Sequence, residues 1–230
     1  MNKNPLLALK ELGQHVWLDN LSRELLKEGT LQRLITEDGI DGVTSNPAIF
    51  QKSIAAGAYY KEDLARMLGS DLSPEARYEA LVIPDIRAAC DLLLPAYVSS
   101  SGVAGYVSLE VSPALANDAA GTIAAGQRLS QAVKRANLLI KVPATPAGLE
   151  AFEQLTATGM SVNVTLIFSL AQYERVVQAY LHGALRWLES GGDTRKLRSV
   201  ASVFLSRVDT LVDKRLDEIG SNQASALKGR

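Results

Sequence analysis

Several charged and polar residues interrupt aliphatic segments of this chain at positions where a strand should be apolar. Asp19 follows Trp17-Leu18, and Asn46 closes Thr44-Ser45-Asn46-Pro47. In Tyr106-Val107-Ser108-Leu109-Glu110-Val111, Glu110 shares one face with Ser108, while Val107, Leu109 and Val111 share the other. Lys141 breaks the run Leu138-Leu139-Ile140-Lys141-Val142-Pro143. Asn163 and Thr165 alternate with Val162, Val164 and Leu166; Ser202, Phe204 and Ser206 alternate with Val203 and Leu205, and Arg207 follows. A lysine of ordinary pKa, about 10.4, is almost wholly ammonium at pH 7. An apolar strand disfavours that charge and leaves an amine able to attack a carbonyl. The iminium so formed withdraws electrons and stabilises the carbanion left when a neighbouring C–C bond breaks. Proton shuttles are then needed at two places, a task suited to Asp19 and Glu110. Asn46 and Asn163 suit the orientation of substrate hydroxyls, and Arg207 with Ser202 suits a phosphate dianion. This chemistry requires no metal and no cofactor, and neither His15 nor His182 belongs to a metal-spaced cluster.

Each residue also has a plainer reading. Asp19 fits a helix cap or loop carboxylate, and Asn46 before Pro47 fits a turn. Lys141 fits a stem with its head in solvent, or a buried ion pair with Glu110. Thr165 is at home in any strand, and Arg207 at a helix start. What the plainer readings leave unexplained is the recurrence of such residues on six successive segments.

Those segments are candidate strands at 15–20, 41–45, 105–111, 137–142, 161–168 and 199–206. Helical periodicity fills the intervals 22–35, 73–94, 113–136, 146–156, 169–188 and 207–219. Regular alternation of strand and helix predicts an α/β fold with a parallel sheet. No glycine-rich loop follows the first strand, as a nucleotide-binding doubly wound sheet would require. A (β/α)8 barrel instead gathers chemistry at the C-terminal ends of many strands. The expectation is therefore one barrel domain over 1–230, with about six of the eight strands in this chain.

Of 230 residues, 47% are hydrophobic and 21% charged, which is globular composition. Twenty-four Lys and Arg against 25 Asp and Glu give a net charge of −1, which argues against a nucleic-acid partner. The single cysteine, Cys90, excludes an intramolecular disulfide and reads as a small buried residue. No run of about 18 apolar residues is present to span a membrane. The first twenty residues lack the apolar centre of a signal peptide, so a cytoplasmic location is expected.

Trp17-Leu18-Asp19, Gly42-Val43-Thr44-Ser45-Asn46-Pro47, Val107-Ser108-Leu109-Glu110-Val111, Leu139-Ile140-Lys141-Val142-Pro143-Ala144-Thr145 and Asn163-Val164-Thr165-Leu166-Ile167-Phe168-Ser169 together resemble the long-form transaldolases. Ser202-Val203-Phe204-Leu205-Ser206-Arg207 is similar to that family's phosphate segment. The resemblance implies transfer of a dihydroxyacetone unit from sedoheptulose 7-phosphate to glyceraldehyde 3-phosphate, giving erythrose 4-phosphate and fructose 6-phosphate. It implies Lys141 as Schiff-base lysine and Asp19 as acid/base for C–C cleavage. Glu110 would act with Thr165 through a water, Asn46 and Asn163 would bind the dihydroxyacetone moiety, Ser202 and Arg207 the phosphate, and Phe204 would line the pocket. The family barrel has eight strands, so a complementary C-terminal fragment or a second copy is expected to complete this one. Two alternatives follow: a fructose 6-phosphate aldolase, a group that commonly has glutamine at the place of Glu110, or an inactive barrel that only binds sugar phosphate.

Overall fold

A computed structural model of the chain describes residues 4–229. A short helix α1 (Pro5–Glu11) precedes β1 (Trp17–Leu18), α2 (Arg23–Lys27), α3 (Thr30–Glu37) and β2 (Gly42–Thr44). Next come α4 (Pro47–Ala56), α5 (Lys61–Met67), the long α6 (Pro74–Ser99) and β3 (Tyr106–Glu110). The chain continues through α7 (Ala119–Val133), β4 (Leu138–Pro143), α8 (Pro146–Ala157), β5 (Val162–Ile167) and α9 (Leu170–Glu189). It ends with β6 (Ser199–Val203), α10 (Leu205–Ile219) and α11 (Asn222–Leu227).

All six expected strands form, every neighbouring pair is parallel, and their order in the sheet is their order in the chain. That order separates the two candidate architectures. Right-handed crossovers that always step the same way place every helix on one side of the sheet. The other face curves inward, and the result is the partial (β/α)8 barrel that the sequence predicts.

The outer layer is apolar. Val107, Leu109 and Val111 of the β3 segment join Val82, Ile86, Ala89, Cys90 and Leu93 of α6 and Leu129 and Val133 of α7 in one buried cluster. Cys90 is fully buried there, as expected, and burial pushes its thiol up to about 12. Asn137, also fully buried, donates from Nδ2 to the carbonyls of Cys90 (2.9 Å) and Gly105 (2.7 Å). One amide thereby ties α6 to the entrances of β3 and β4. At the start of α2, buried Arg23 donates from Nε to Asp85 Oδ1 (2.8 Å) and from Nη2 to the Leu81 carbonyl (2.8 Å), and also pairs with Asp63. Tyr60 donates to the other oxygen of Asp85 at 2.8 Å. The guanidinium lies 4.2 Å from the Tyr60 ring centroid.

Several boundaries differ from expectation. The helix expected over 22–35 is two, α2 and α3, because the chain turns at Gly29 with φ 72°. Helices α1, α4, α5 and α11 lie outside the expected set. The expected 113–136 helix starts only at Ala119, where the Asp118 carboxylate accepts from the Gly121 amide; a 3-10 turn, Pro113–Leu115, precedes it. Helix α6 outruns its expected end at 94, with Pro84 and Pro95 inside it. Strand β6 stops at Val203, so Ser206 and Arg207 stand in the first turn of α10 and Phe204 at its cap. The alternation read through Leu166 also fails. Leu166 adopts φ 62° at a bulge between Val164 and Ile167, which exposes Leu166 and fully buries Ile167. Among the described residues, no helix is long and apolar enough to cross a membrane.

Candidate active site

Parallel register sets the first row of the site. Glu110 on β3 pairs with Lys141 on β4, and Lys141 pairs with Asn163 on β5. The three side chains therefore stand at one level on the inner face. Lys141 is 6% exposed, 3.5 Å from Glu110 Oε2, and donates to the Ser45 carbonyl at 3.3 Å. Burial raises the Glu110 pKa; the Lys141 charge opposes that rise and Asp19 adds to it.

Hydrogen bonds along the inner face hold the Asn163 end of this row. Ser202 Oγ donates to Asn163 Oδ1 at 2.9 Å, and Asn163 Nδ2 donates to Ser108 Oγ at 3.0 Å. Ser45 Oγ donates to the Ser108 carbonyl at 2.8 Å. The relay crosses from β6 to β5 and β3 and on to the segment after β2. Thr165, one register level above at Pro143, is 1% exposed, and its hydroxyl has no hydrogen-bond partner among the described residues.

The strand ends carry the rest. Asn46 caps α4, its Oδ1 accepting from the Ile49 amide at 3.0 Å, with Pro47 in the first helical position. The turn reading of Asn46 was thus half of the matter: Oδ1 is used by the helix, and Nδ2 is left to the cleft. After β4 the Thr145 hydroxyl caps α8 through the Gly148 amide at 2.9 Å. A Cβ on Gly148 would lie 1.9 Å from the Pro143 carbonyl, so glycine alone lets α8 pack this closely on the Lys141 strand. Phe204 stacks on Phe168 with ring centroids 5.3 Å apart, and the Arg207 guanidinium lies over Phe204 at 4.7 Å.

A cleft of about 530 Å3 opens above this arrangement. Seven of the nine residues singled out in the sequence line it: Asp19, Asn46, Glu110, Lys141, Thr165, Phe204 and Arg207. The remaining two are Asn163, beside Lys141 in the row, and Ser202, hydrogen-bonded to Asn163. Sequence reasoning missed Gln51 and Lys52 on α4, which also line the cleft, because α4 was not foreseen. Ser45 and Ser108 were visible as residues, but their service to Lys141 and Asn163 depends on register. The outer wall could accept a carbonyl compound against the amine, with carboxylates on two sides and a guanidinium farther out.

Parallel strands in sequence order, with an amine, two carboxylates and amides toward their C-terminal ends, define a barrel-type α/β chain with its polar groups gathered at one end of the sheet. The model of the transaldolase/fructose-6-phosphate aldolase family matches residues 16–229, and the chain belongs to that family. It is 54% identical over 222 residues to a transaldolase of Thiobacillus denitrificans, covering 96% of this chain and 62% of that protein. It is 48% identical over 226 residues to a transaldolase of Kocuria rhizophila, covering 98% of this chain and 61% of that protein. A transaldolase of Mycobacterium tuberculosis (strain H37Rv) is 47% identical over 229 residues, 99% of this chain and 61% of its own length. The chain thus spans about three fifths of the length of these relatives.

Proposed function

We propose that this chain carries the Schiff-base centre of a transaldolase, transferring a dihydroxyacetone unit from sedoheptulose 7-phosphate to glyceraldehyde 3-phosphate. The observation that carries the reading is the Glu110–Lys141–Asn163 row, which sets a buried amine between a carboxylate and an amide. Lys141 Nζ, as free amine, adds to the ketose C2 carbonyl, and the carbinolamine loses water to give the iminium. Glu110, with Thr165, moves the protons of that addition and dehydration through a water. Asp19 takes the proton of the C4 hydroxyl as the C3–C4 bond breaks. The bond's electron pair flows into the iminium as an enamine, and erythrose 4-phosphate leaves as an aldehyde. The enamine carbon then attacks the carbonyl carbon of glyceraldehyde 3-phosphate, Asp19 returns its proton to the new alkoxide, and hydrolysis frees fructose 6-phosphate. Asn46 Nδ2 and Asn163 orient the dihydroxyacetone hydroxyls. Arg207, with Ser202, meets the phosphate, and Phe204 holds the guanidinium in place. The glutamate at 110 supports transfer over the aldolase reaction of the same family, which releases free dihydroxyacetone.

The relatives are longer, and β1 and β6 have no strand on their outer edges among the described residues. A complementary C-terminal region, or a second copy of the chain, is the partner expected there. Incubation with fructose 6-phosphate and borohydride, followed by intact mass and a digest, tests the reading. A reduced three-carbon adduct on Lys141 supports it; absence of an adduct from the chain assembled with its partner overturns it. A coupled assay with and without acceptor aldehyde distinguishes transfer from simple cleavage.

A further inference from the structure

A second cavity, of about 300 Å3, lies on the outer side of β3 between α6 and α7. That volume is at the lower end of small-molecule sites, roughly 300–1,000 Å3. Its body is apolar, formed by Val82 and Ile83 of α6, Leu109 and Val111 of the β3 segment, and Ala125 and Leu129 of α7. Its mouth is charged. Arg128 spends both guanidinium ends on Glu79, one of them at 2.8 Å; Glu75 acts on the same guanidinium only through its charge, with no hydrogen bond among the described residues. Two carboxylates therefore face one guanidinium that is already neutralised. The Tyr78 hydroxyl, also on the wall, has no hydrogen-bond partner among the described residues. Pro47, Gln51, Glu110 and Pro113 line both this cavity and the cleft, so the two adjoin along that wall.

We propose that this cavity is a second ligand site, adjoining the cleft on the outer side of β3, that takes a compact apolar amine. The apolar body of such a molecule fills the space between α6 and α7, where it replaces water against six aliphatic side chains. Its ammonium stays at the mouth beside Glu75, partly hydrated, so that the charge is not stripped of water. The same negative mouth repels phosphate and carboxylate groups, which keeps sugar phosphates in the cleft where Lys52 and Arg207 stand. The site does not depend on the Schiff-base chemistry proposed above.

Ligand-observed NMR titrations with benzylamine, benzyl alcohol and phenylacetate at pH 7 test this. Benzylamine is expected to bind saturably, benzyl alcohol several-fold more weakly and phenylacetate at least tenfold more weakly. Ala125→Leu fills the cavity and is expected to weaken benzylamine binding at least tenfold. Glu75→Gln, an exposed substitution that leaves the fold alone, is expected to erase most of the preference for benzylamine over benzyl alcohol. Equal binding of the anion, no saturable binding of any probe, or an unchanged preference in Glu75→Gln overturns the proposal. Should Ala125→Leu fail to fold, the Glu75→Gln result decides by itself. Borohydride trapping on Lys141 in the same samples reports on the cleft by a separate signal.

Discussion

Glu110 and Lys141 are register partners on adjacent parallel strands, and their side chains meet at 3.5 Å inside the sheet's curve. The pair is not an incidental ion contact, because both backbones are fixed by the ladder and Asn163 continues the row on the other side of Lys141. Each partner's charge is held in place largely by the other.

Lys141→Met therefore removes both the amine and the counter-charge. No borohydride adduct is expected with fructose 6-phosphate. Glu110 is already raised by burial, and it rises further without the lysine. In the unfolded chain its proton leaves near pH 4.3, so ionisation favours the unfolded state as pH rises above that value. The variant should lose stability relative to the parent at pH 7.5 and recover it toward pH 4.5, in thermal melts at the two values.

The activity of the parent should carry the mark of the same carboxylate. A proton acceptor with a raised pKa loses its basic form at a higher pH than an ordinary glutamate, so the acid limb of kcat/KM lies above about 4.3. Glu110→Gln keeps the shape and removes the titration. A rate loss of about 10²–10⁴-fold, with that limb abolished, is expected from pH profiles of the two proteins. A limb that survives in the glutamine variant would assign it to another group.

Asn46 has two duties that two substitutions separate. Asn46→Asp keeps an oxygen for the Ile49 amide and loses the Nδ2 donor, so its melting temperature should stay close to the parent's while KM rises. Asn46→Ala loses both and should also cost about 0.5–2 kcal/mol in urea denaturation.

Asp85→Ala tests the polar cluster that joins α2 to α6. It leaves the buried Arg23 guanidinium with Asp63 as its remaining carboxylate, and takes from the Tyr60 hydroxyl its acceptor while the Arg23 amide still donates to it. A loss of about 1–3 kcal/mol is expected, measured by urea denaturation. Because Arg23 opens α2 four residues after Asp19, activity should fall in the variant even where it remains folded.

The strands were legible because each combines a short aliphatic run with a polar residue that an ordinary core would reject; Glu110 and Lys141 are the plainest cases. What escaped was set by backbone geometry. Ala48, Ile49 and Phe50 are consecutive apolar residues, which gives α4 no helical period, so the Asn46-Pro47 start signal was read only as a turn. The left-handed Leu166 has no sequence mark, because leucine rarely adopts that conformation. Gly29 did carry a mark, yet the leucines at helical spacing on both sides of it concealed the break. The Ser202–Asn163–Ser108 relay joins residues far apart in the chain and became visible only with the register.

The strand order from β1 to β6 also bears on how the protein forms during synthesis. Each new strand finds its partner in the strand made just before it, so pairing never waits for a segment still to be translated. Growth can proceed from the N-terminus unit by unit as the chain leaves the ribosome. The site follows the same timetable: Lys141 is placed beside Glu110 once β4 docks, and the hydrogen-bonded relay beside it closes only when β6 delivers Ser202 to Asn163.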